Sequence, residues 1–235
     1  MSDVTENLAE VIGKIVCACG RSGRNTNSVQ LIAVSKTFPA ELVRSVHEAG
    51  QLAFGESKLQ EAEPKIADLP DSLCWHFIGR VQRNKVRKLM ENFHVIHAID
   101  SLRLALYMDQ ISKELGLFPK VFLQVNIGGE DSKGGFEPDS LRAEMEALLK
   151  LKRIEVLGLM CIPPSGSNSE AARPWFSLLR QMRDALEADF SVKLPSLSMG
   201  MSGDYEVAIE EGATHVRVGS AIFGKRSYRV DGELG

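Results

Sequence analysis

The chain has 235 residues and a formal charge of −3, which excludes a broadly basic nucleic-acid-binding surface. No apolar run approaches the ~18 residues of a membrane span, and the N-terminal segment lacks a basic region followed by an apolar one. We therefore expect no nucleic-acid partner, no membrane span and no secretory signal. With 44% hydrophobic and 25% charged residues, the composition is typical of a soluble globular protein.

The order of apolar and periodic segments predicts an alternation of strands and helices after an opening helix, expected from about Asp3 to Cys19. The apolar runs expected to form strands are residues 31–36, 51–56, 74–79, 94–100, 120–126, 154–162, 195–200 and 214–219. The helices between them are expected to start at Pro39 and to cover 57–69, 83–93, 101–116, 138–151, 172–190 and 205–213. Ser101 is the expected N-cap of its helix.

This alternation requires a parallel sheet, because each helix must return the chain to the same edge before the next strand begins. Eight units within ~200 residues fit a closed barrel better than an open sheet. The first strand is also not followed by the glycine-rich phosphate loop of open dinucleotide-binding sheets. The predicted fold class is α/β, a (β/α)8 TIM-type barrel with an extra N-terminal helix. Because no linker divides residues 1–235, we expect a single domain.

The cysteines and histidines do not predict a metal site. Cysteine spacing shows no C-x-x-C pair, so free thiols in a reducing cytoplasm are expected at Cys17, Cys19, Cys74 and Cys161. His94 and His97 lie in a predicted strand, where residues three apart point to opposite faces.

Lys36 ends an otherwise uncharged strand, at the edge where barrels of this class place their active sites. A partly desolvated lysine there has a lowered amine pKa and can attack a carbonyl group. The alternative is a lysine that only marks the exit of the strand into water.

Small residues follow the last two strands, at Gly200 to Gly203 and at Gly219-Ser220. Barrels often bind phosphate with these two loops, since glycine lets backbone N–H groups approach the anion. Two ordinary turns are the alternative. Arg217 lies two residues before the second turn. A nucleophilic lysine, a phosphate loop and an arginine fit pyridoxal 5′-phosphate, but also the substrate of a sugar-phosphate aldolase.

Several long motifs resemble one known family. They span residues 31–57, 75–85, 97–105, 121–136, 158–164 and 197–224. These segments resemble the pyridoxal phosphate homeostasis proteins, a single-domain barrel family that shares its barrel with alanine racemases. The resemblance implies pyridoxal 5′-phosphate as cofactor, held as a Schiff base on Lys36. It also implies phosphate contacts from Ser202, Gly219 and Ser220, and an arginine, Arg217, that faces the pyridine nitrogen.

The complete expected cofactor-binding set is Lys36, Ser57, His76, Asn126, Met160, Ser202, Arg217, Gly219 and Ser220. The chain departs from the family pattern at Ser57 and Lys58, where the family has asparagine and tyrosine. It also departs in the basic segment 80–88, which contains Arg80 and Arg83. That segment is interpreted as a solvated basic helix face, with an anion-recognition patch beside the mouth as the alternative.

The leading functional hypothesis is a carrier for pyridoxal 5′-phosphate in vitamin B6 homeostasis, without substantial catalysis. The expected partners are the cofactor, other B6 vitamers and pyridoxal-phosphate-dependent apo-enzymes, and the expected state is a cytoplasmic monomer. The alternative is an amino-acid racemase, which needs a second base, commonly a tyrosine, on the other cofactor face. Tyr107, Tyr205 and Tyr228 are the tyrosines of the chain, and none is expected in that position. A sugar-phosphate aldolase is the third hypothesis.

Overall fold

The computed structural model describes residues 3–130, 133–164 and 169–224. In this part of the chain the strands are β1 (Gln30–Val34), β2 (Ala53–Glu56), β3 (Cys74–Phe77), β4 (Val95–Ile99), β5 (Lys120–Gln124), β6 (Glu155–Met160), β7 (Ser196–Met201) and β8 (His215–Val218). The α-helices are α1 (Val4–Arg21), α2 (Ala40–Glu48), α3 (Leu59–Asp68), α4 (Val86–Asn92), α5 (Leu102–Leu115), α6 (Pro138–Leu149), α7 (Ser169–Phe190), α8 (Tyr205–Glu210) and α9 (Ser220–Phe223).

The strands form a closed parallel barrel in chain order, which confirms the predicted fold class. Closure comes from β1 pairing with β8, where Ile32 lies opposite Arg217 and Ala33 opposite Val218. Most strand residues are buried, as expected for parallel strands that pack against helices outside and against each other inside. A helix lies between each pair of successive strands, so the loops that leave the carboxyl ends of the strands gather at one mouth.

The extra N-terminal helix is confirmed as α1, one residue later at its start than expected. The Asp3 side chain caps it by accepting a hydrogen bond from the Thr5 amide at 2.9 Å. One face of α1 is buried against α8 and α9, and Asn7 donates a hydrogen bond to the Ile222 carbonyl at 2.9 Å. This contact ties the start of the chain to the segment that follows β8.

Local capping explains other element ends. The Ser101 hydroxyl accepts a hydrogen bond from the Leu104 amide at 3.3 Å, which confirms the predicted N-cap of α5. Pro39 is the N-cap of α2 rather than its first residue. The expected helix over 83–93 is divided into a 3-10 turn, Arg83–Lys85, and α4.

Among the described residues, none of the helices combines the length and apolar character needed to cross a membrane.

Candidate functional site

Lys36 lies at the barrel mouth, on the turn that follows β1. The chain there is held by its neighbour Ser35, whose amide donates to the Gly55 carbonyl at 3.0 Å. The Ser35 carbonyl accepts from the Phe38 amide at 3.1 Å and from the Lys65 ammonium at 2.9 Å. Lys36 itself is half-buried. A turn held in this way places a half-buried lysine at the mouth, and a partly desolvated amine suits a nucleophile.

A cavity of about 270 Å³ opens at this mouth. Its lining residues are Val34, Lys36, Phe38, Ile78, Met201, Ser202, Gly203, Arg217, Gly219, Ser220 and Gly224. The volume lies close to the lower end of the range of about 300–1,000 Å³ that is usual for small-molecule sites. Apolar side chains and a few convergent polar groups are the usual composition of such sites. The cavity brings together Lys36, Arg217 and the turns that follow β7 and β8.

Arg217 projects from β8 into the barrel interior and is 4% exposed. Its guanidinium donates to the Ser198 hydroxyl at 2.6 Å and to the Cys161 carbonyl at 2.9 Å. Within the described residues no carboxylate forms an ion pair with it. Burial therefore lowers the pKa of Arg217, with smaller opposing effects from Cys161 and Asp204. Since guanidinium stays protonated under ordinary conditions, Arg217 presents N–H donors, and no acceptor, to the cavity.

The turns that follow β7 and β8 are joined by hydrogen bonds to the Ser202 side chain. Its hydroxyl oxygen accepts hydrogen bonds from the amides of Gly219 at 3.1 Å and Ala221 at 3.4 Å. These two amides therefore converge on one oxygen at the edge of the cavity, an arrangement that also suits a phosphate oxygen. A β-carbon at Gly219 would lie 3.2 Å from the Val34 carbonyl oxygen, so this close approach of β8 to β1 favours glycine.

Five of the nine predicted cofactor-binding residues line the cavity, namely Lys36, Ser202, Arg217, Gly219 and Ser220. Ser57 is half-buried after β2, and its carbonyl oxygen would be 2.1 Å from a β-carbon at Gly79. Ser57 thus packs at the mouth beside the loop that carries Ile78, without being among the lining residues. Its contact with a cofactor stays a prediction.

Asn126, His76 and Met160 lie outside the lining as well. The Asn126 amide organises the loop after β5, donating to the Glu137 carboxylate at 3.0 Å and accepting from the Glu130 amide at 3.2 Å. His76 and Met160 are each 1% exposed, on β3 and β6. Their binding roles stay predictions, and the contacts of His76 connect it to the cavity only through other side chains.

The lining residues that were missed in the sequence are Val34, Phe38, Ile78 and Gly224, whereas Met201 and Gly203 belong to the turn at Gly200 to Gly203 that was expected to bind phosphate. Strand alternation could have identified Val34, which lies two residues before Lys36 and so shares its face of the strand. Phe38 stacks on Phe223 with ring centroids 5.1 Å apart. No sequence signal links these two rings, because they are brought together only when β8 closes the barrel on β1.

The basic segment 80–88 largely pairs with neighbouring elements. Arg87 forms an ion pair with Glu114 on α5, and Lys88 contacts Glu63 on α3 at 3.4 Å. The guanidinium of Arg83 lies over the ring of Tyr107 at 4.3 Å from its centroid. Arg83, Arg87 and Lys88 are also exposed, which fits the interpretation of a solvated basic helix face. The alternative of an anion-recognition patch stays a prediction.

Comparisons with known proteins agree with this geometry. The family model described as alanine racemase, N-terminal domain, matches residues 21–227. A curated relative from Aquifex aeolicus, named pyridoxal phosphate homeostasis protein, is 46% identical over 95% of this chain and 98% of its own. The chain belongs to the pyridoxal phosphate homeostasis protein family.

Two solved structures show how far the likeness within and beyond this family extends. PipY of Synechococcus elongatus PCC7942, solved with pyridoxal phosphate bound, is 41% identical, covers 94% of this chain and 100% of its own, and has a TM-score of 0.82. An alanine racemase of Clostridium difficile 630 is 16% identical, covers 94% of this chain and 57% of its own, and has a TM-score of 0.73. The racemase likeness therefore concerns the fold alone.

Proposed function

We propose that this chain is a carrier that binds pyridoxal 5′-phosphate covalently through Lys36 and takes part in vitamin B6 homeostasis. The observation that carries the proposal is one cavity lined by a lysine, an arginine and two small-residue turns. The family membership supports the same ligand, since a relative with 41% identity has been solved with pyridoxal phosphate bound.

The residues of the cavity fit each part of this cofactor. The Lys36 amine suits the aldehyde, and the converging amides of Gly219 and Ala221 suit a phosphate oxygen. Val34 and Ile78, which line the cavity, would offer apolar contact to the ring. When bound, the cofactor supplies an aldehyde that condenses with amines and a ring that can act as an electron sink.

Arg217 weakens the chemistry that such a site can perform. A guanidinium facing the pyridine nitrogen donates a hydrogen bond but cannot accept the pyridinium proton. The ring nitrogen then stays unprotonated, which makes the cofactor a weaker electron sink. This suits reversible storage of the aldehyde better than transamination.

The tyrosines of the described residues do not support a racemase. Tyr205 is 4% exposed at the start of α8, and Tyr107 lies beneath the Arg83 guanidinium. Neither lines the cavity, and Tyr228 lies outside the described residues. A two-base racemase needs a proton acceptor on each cofactor face. The carrier hypothesis needs only Lys36 and an incoming amine.

We further propose that the carrier is a monomer in the cytoplasm and delivers its cofactor to pyridoxal-phosphate-dependent apo-enzymes. The four cysteines are free thiols, as suits a reducing compartment. Delivery requires that an amine of the recipient, or a free amine, can displace the Lys36 amine at the open mouth.

The test separates carrier from racemase. The loaded protein is mixed with an apo-transaminase, whose regained activity reports transfer, and in parallel with single L-amino acids, whose enantiomers are measured. We expect transfer and no sustained racemisation. Lys36→Ala should lose covalent loading, whereas Lys58→Ala, at an exposed lysine beside Glu61, should retain it. Sustained turnover of one L-amino acid would contradict the carrier proposal in favour of the racemase.

A further inference from the structure

A chain of hydrogen bonds runs from Arg217 through the barrel interior, beneath the cavity. The Arg217 guanidinium donates to the Ser198 hydroxyl at 2.6 Å, and that hydroxyl lies 2.8 Å from Nδ1 of His97. Nε2 of His97 lies 2.9 Å from Nδ1 of His76. Nε2 of His76 then lies 3.4 Å from Sγ of Cys74. The chain links four strands, β8, β7, β4 and β3, across the inside of the barrel.

Arg217 determines which atom donates and which accepts in the first two hydrogen bonds. Guanidinium has donors only, so the Ser198 oxygen must accept from Arg217. Ser198 is 0% exposed, and its hydroxyl oxygen contacts only Arg217 and His97 among the described side chains. Since a buried hydroxyl proton needs an acceptor, that proton is donated to Nδ1 of His97.

The same order of donor and acceptor, leading away from Arg217, continues through both imidazoles. His97 is fully buried beside a cation, which lowers its pKa well below 6.5 through burial first and through His76 and Arg217 next. A neutral imidazole carries one proton, so His97 with an acceptor Nδ1 must donate from Nε2 to His76. Burial likewise lowers the pKa of His76 to about 3, so its single proton lies on Nε2 and points to Cys74. Burial raises the pKa of the Cys74 thiol, whose sulfur remains a neutral acceptor.

We propose that Ser198, His97 and His76 are positioning residues that hold the Arg217 guanidinium under the cavity through one unidirectional hydrogen-bond chain, with both imidazoles locked as Nε2–H tautomers. Every acceptor lone pair in the chain faces back toward Arg217. The chain thereby stabilises a buried cation with dipoles where no carboxylate partner is present among the described residues. The role toward the pyridine nitrogen rests on the proposed function, whereas the tautomers do not.

Because no carboxylate of the described residues pairs with Arg217, the arrangement determines how much charge the cavity meets. A carboxylate paired with Arg217 would partly neutralise its charge and compete for its donors. Neutral dipoles leave the guanidinium fully charged at the wall of the cavity that it lines. Two further rings pack against His97: Phe122 stacks on it with centroids 4.5 Å apart, and the centroid of His215 lies 6.2 Å away.

The first test measures the tautomers in ligand-free protein by long-range ¹H–¹⁵N NMR of the imidazole rings. His76 and His97 are both expected to show a pyridine-type Nδ1 and a pyrrole-type Nε2. In Ser198→Ala the His97 acceptor loses its donor, so exchange between tautomers is expected there, and Ser198→Thr should restore the lock. His94 is the internal control, because its Nδ1 accepts from the Trp75 amide at 3.0 Å outside the chain. A protonated Nδ1 on either ring in the unaltered protein overturns the proposal, as does an unchanged His97 tautomer in Ser198→Ala.

The second test adds pyridoxal 5′-phosphate to the unaltered protein, Ser198→Ala, Ser198→Thr and His97→Phe, and records visible absorption against pH. Ser198→Ala and His97→Phe should shift the absorption or its pH dependence while keeping borohydride labelling of Lys36, and Ser198→Thr should behave as the unaltered protein. Unchanged spectra in both disrupting variants overturn the positioning role. If the unaltered protein takes up no cofactor, the proposed function fails and the NMR result still decides the tautomer lock.

Discussion

At the residue scale, Arg217 is a buried cation whose partners are a hydroxyl and a carbonyl instead of a carboxylate. Such a charge is retained only where its hydrogen bonds are made in full. Arg217 lies on the same strand face as His215. Burial, and then the charge of Arg217, lowers the pKa of the His215 imidazole to about 4. The interior beneath the cavity is therefore polar but contains neutral imidazoles around one cation.

Replacing this cation with an acceptor gives the first prediction. In Arg217→Glu a carboxylate would stand where the guanidinium now faces the cavity, and it could accept a proton from the pyridine nitrogen. The visible absorption of the loaded protein should then move to longer wavelength or strengthen, as measured by spectrophotometry at constant loading. Arg44→Glu, the same charge reversal at an exposed arginine that pairs with Asp68, is the matched control and should keep the original band. An unchanged spectrum in Arg217→Glu would show that Arg217 does not face the ring nitrogen.

At the element scale, the presentation of Lys36 depends on how β1 and β2 are tied to α3. Glu56 is 0% exposed at the end of β2, and its Oε1 accepts from Lys65 at 2.7 Å and from the Ser35 hydroxyl at 2.7 Å. Oε2 of Glu56 has no hydrogen-bond partner within the part of the chain that the structure describes. Burial raises the pKa of Glu56, and Lys65 opposes that rise. Lys65 of α3 thus supports the end of β1 that precedes Lys36, the proposed covalent anchor.

Removing Lys65 should leave this buried carboxylate without its cation. Lys65→Met is expected to lower the free energy of unfolding by about 3–5 kcal/mol, the usual cost of breaking a buried pair from one side. Lys58→Met, which removes the exposed ion pair with Glu61, should cost less than about 1 kcal/mol. Chemical denaturation of the two variants at neutral pH measures the difference. Equal, small losses would mean that Lys65 does not stabilise Glu56.

The elements also show which features of the fold and site could be predicted from the sequence. Strand order and the position of Lys36 followed from apolar runs alone, because each run of buried β residues is bounded by a helix and returns to the same edge. The chain Arg217–Ser198–His97–His76 could not be found in this way, since barrel register decides which strand residues meet. The four-residue α9 was not among the expected helices, because Ser220–Phe223 is too short to show periodicity.

At the scale of the whole molecule, three interior histidines make stability depend on pH, namely the buried His76 and His97 and the partly buried His215. The folded pKa is about 3 for His76 and about 4 for His215, and that of His97 is also lowered, against an ordinary value of 6.5. Between pH 6.5 and these lowered pKa values of the folded state, the unfolded chain binds more protons than the folded chain. The stabilisation from neutral imidazoles is therefore complete above pH 6.5 and is lost as pH falls toward about 4 and 3.

His215→Asn isolates one of these imidazoles. The slope of the free energy of unfolding against pH, measured by denaturation between pH 6.5 and 4, should fall by up to about 1.4 kcal/mol per pH unit. Gln60→Asn, at an exposed residue of α3 without an ionisable group, is the control and should leave the slope unchanged. A slope in His215→Asn equal to that of the unaltered protein would mean that His215 is not held neutral by the fold.

The central claim is the covalent anchor of pyridoxal 5′-phosphate at Lys36, and one measurement tests it most directly. The protein is incubated with the cofactor, its visible spectrum is recorded before and after borohydride reduction, and the reduced adduct is located by peptide mass mapping. The account predicts a yellow protein whose adduct maps to Lys36. An adduct on another lysine, or a colourless protein that takes up no cofactor, would contradict it, and the latter result would favour a sugar-phosphate ligand instead.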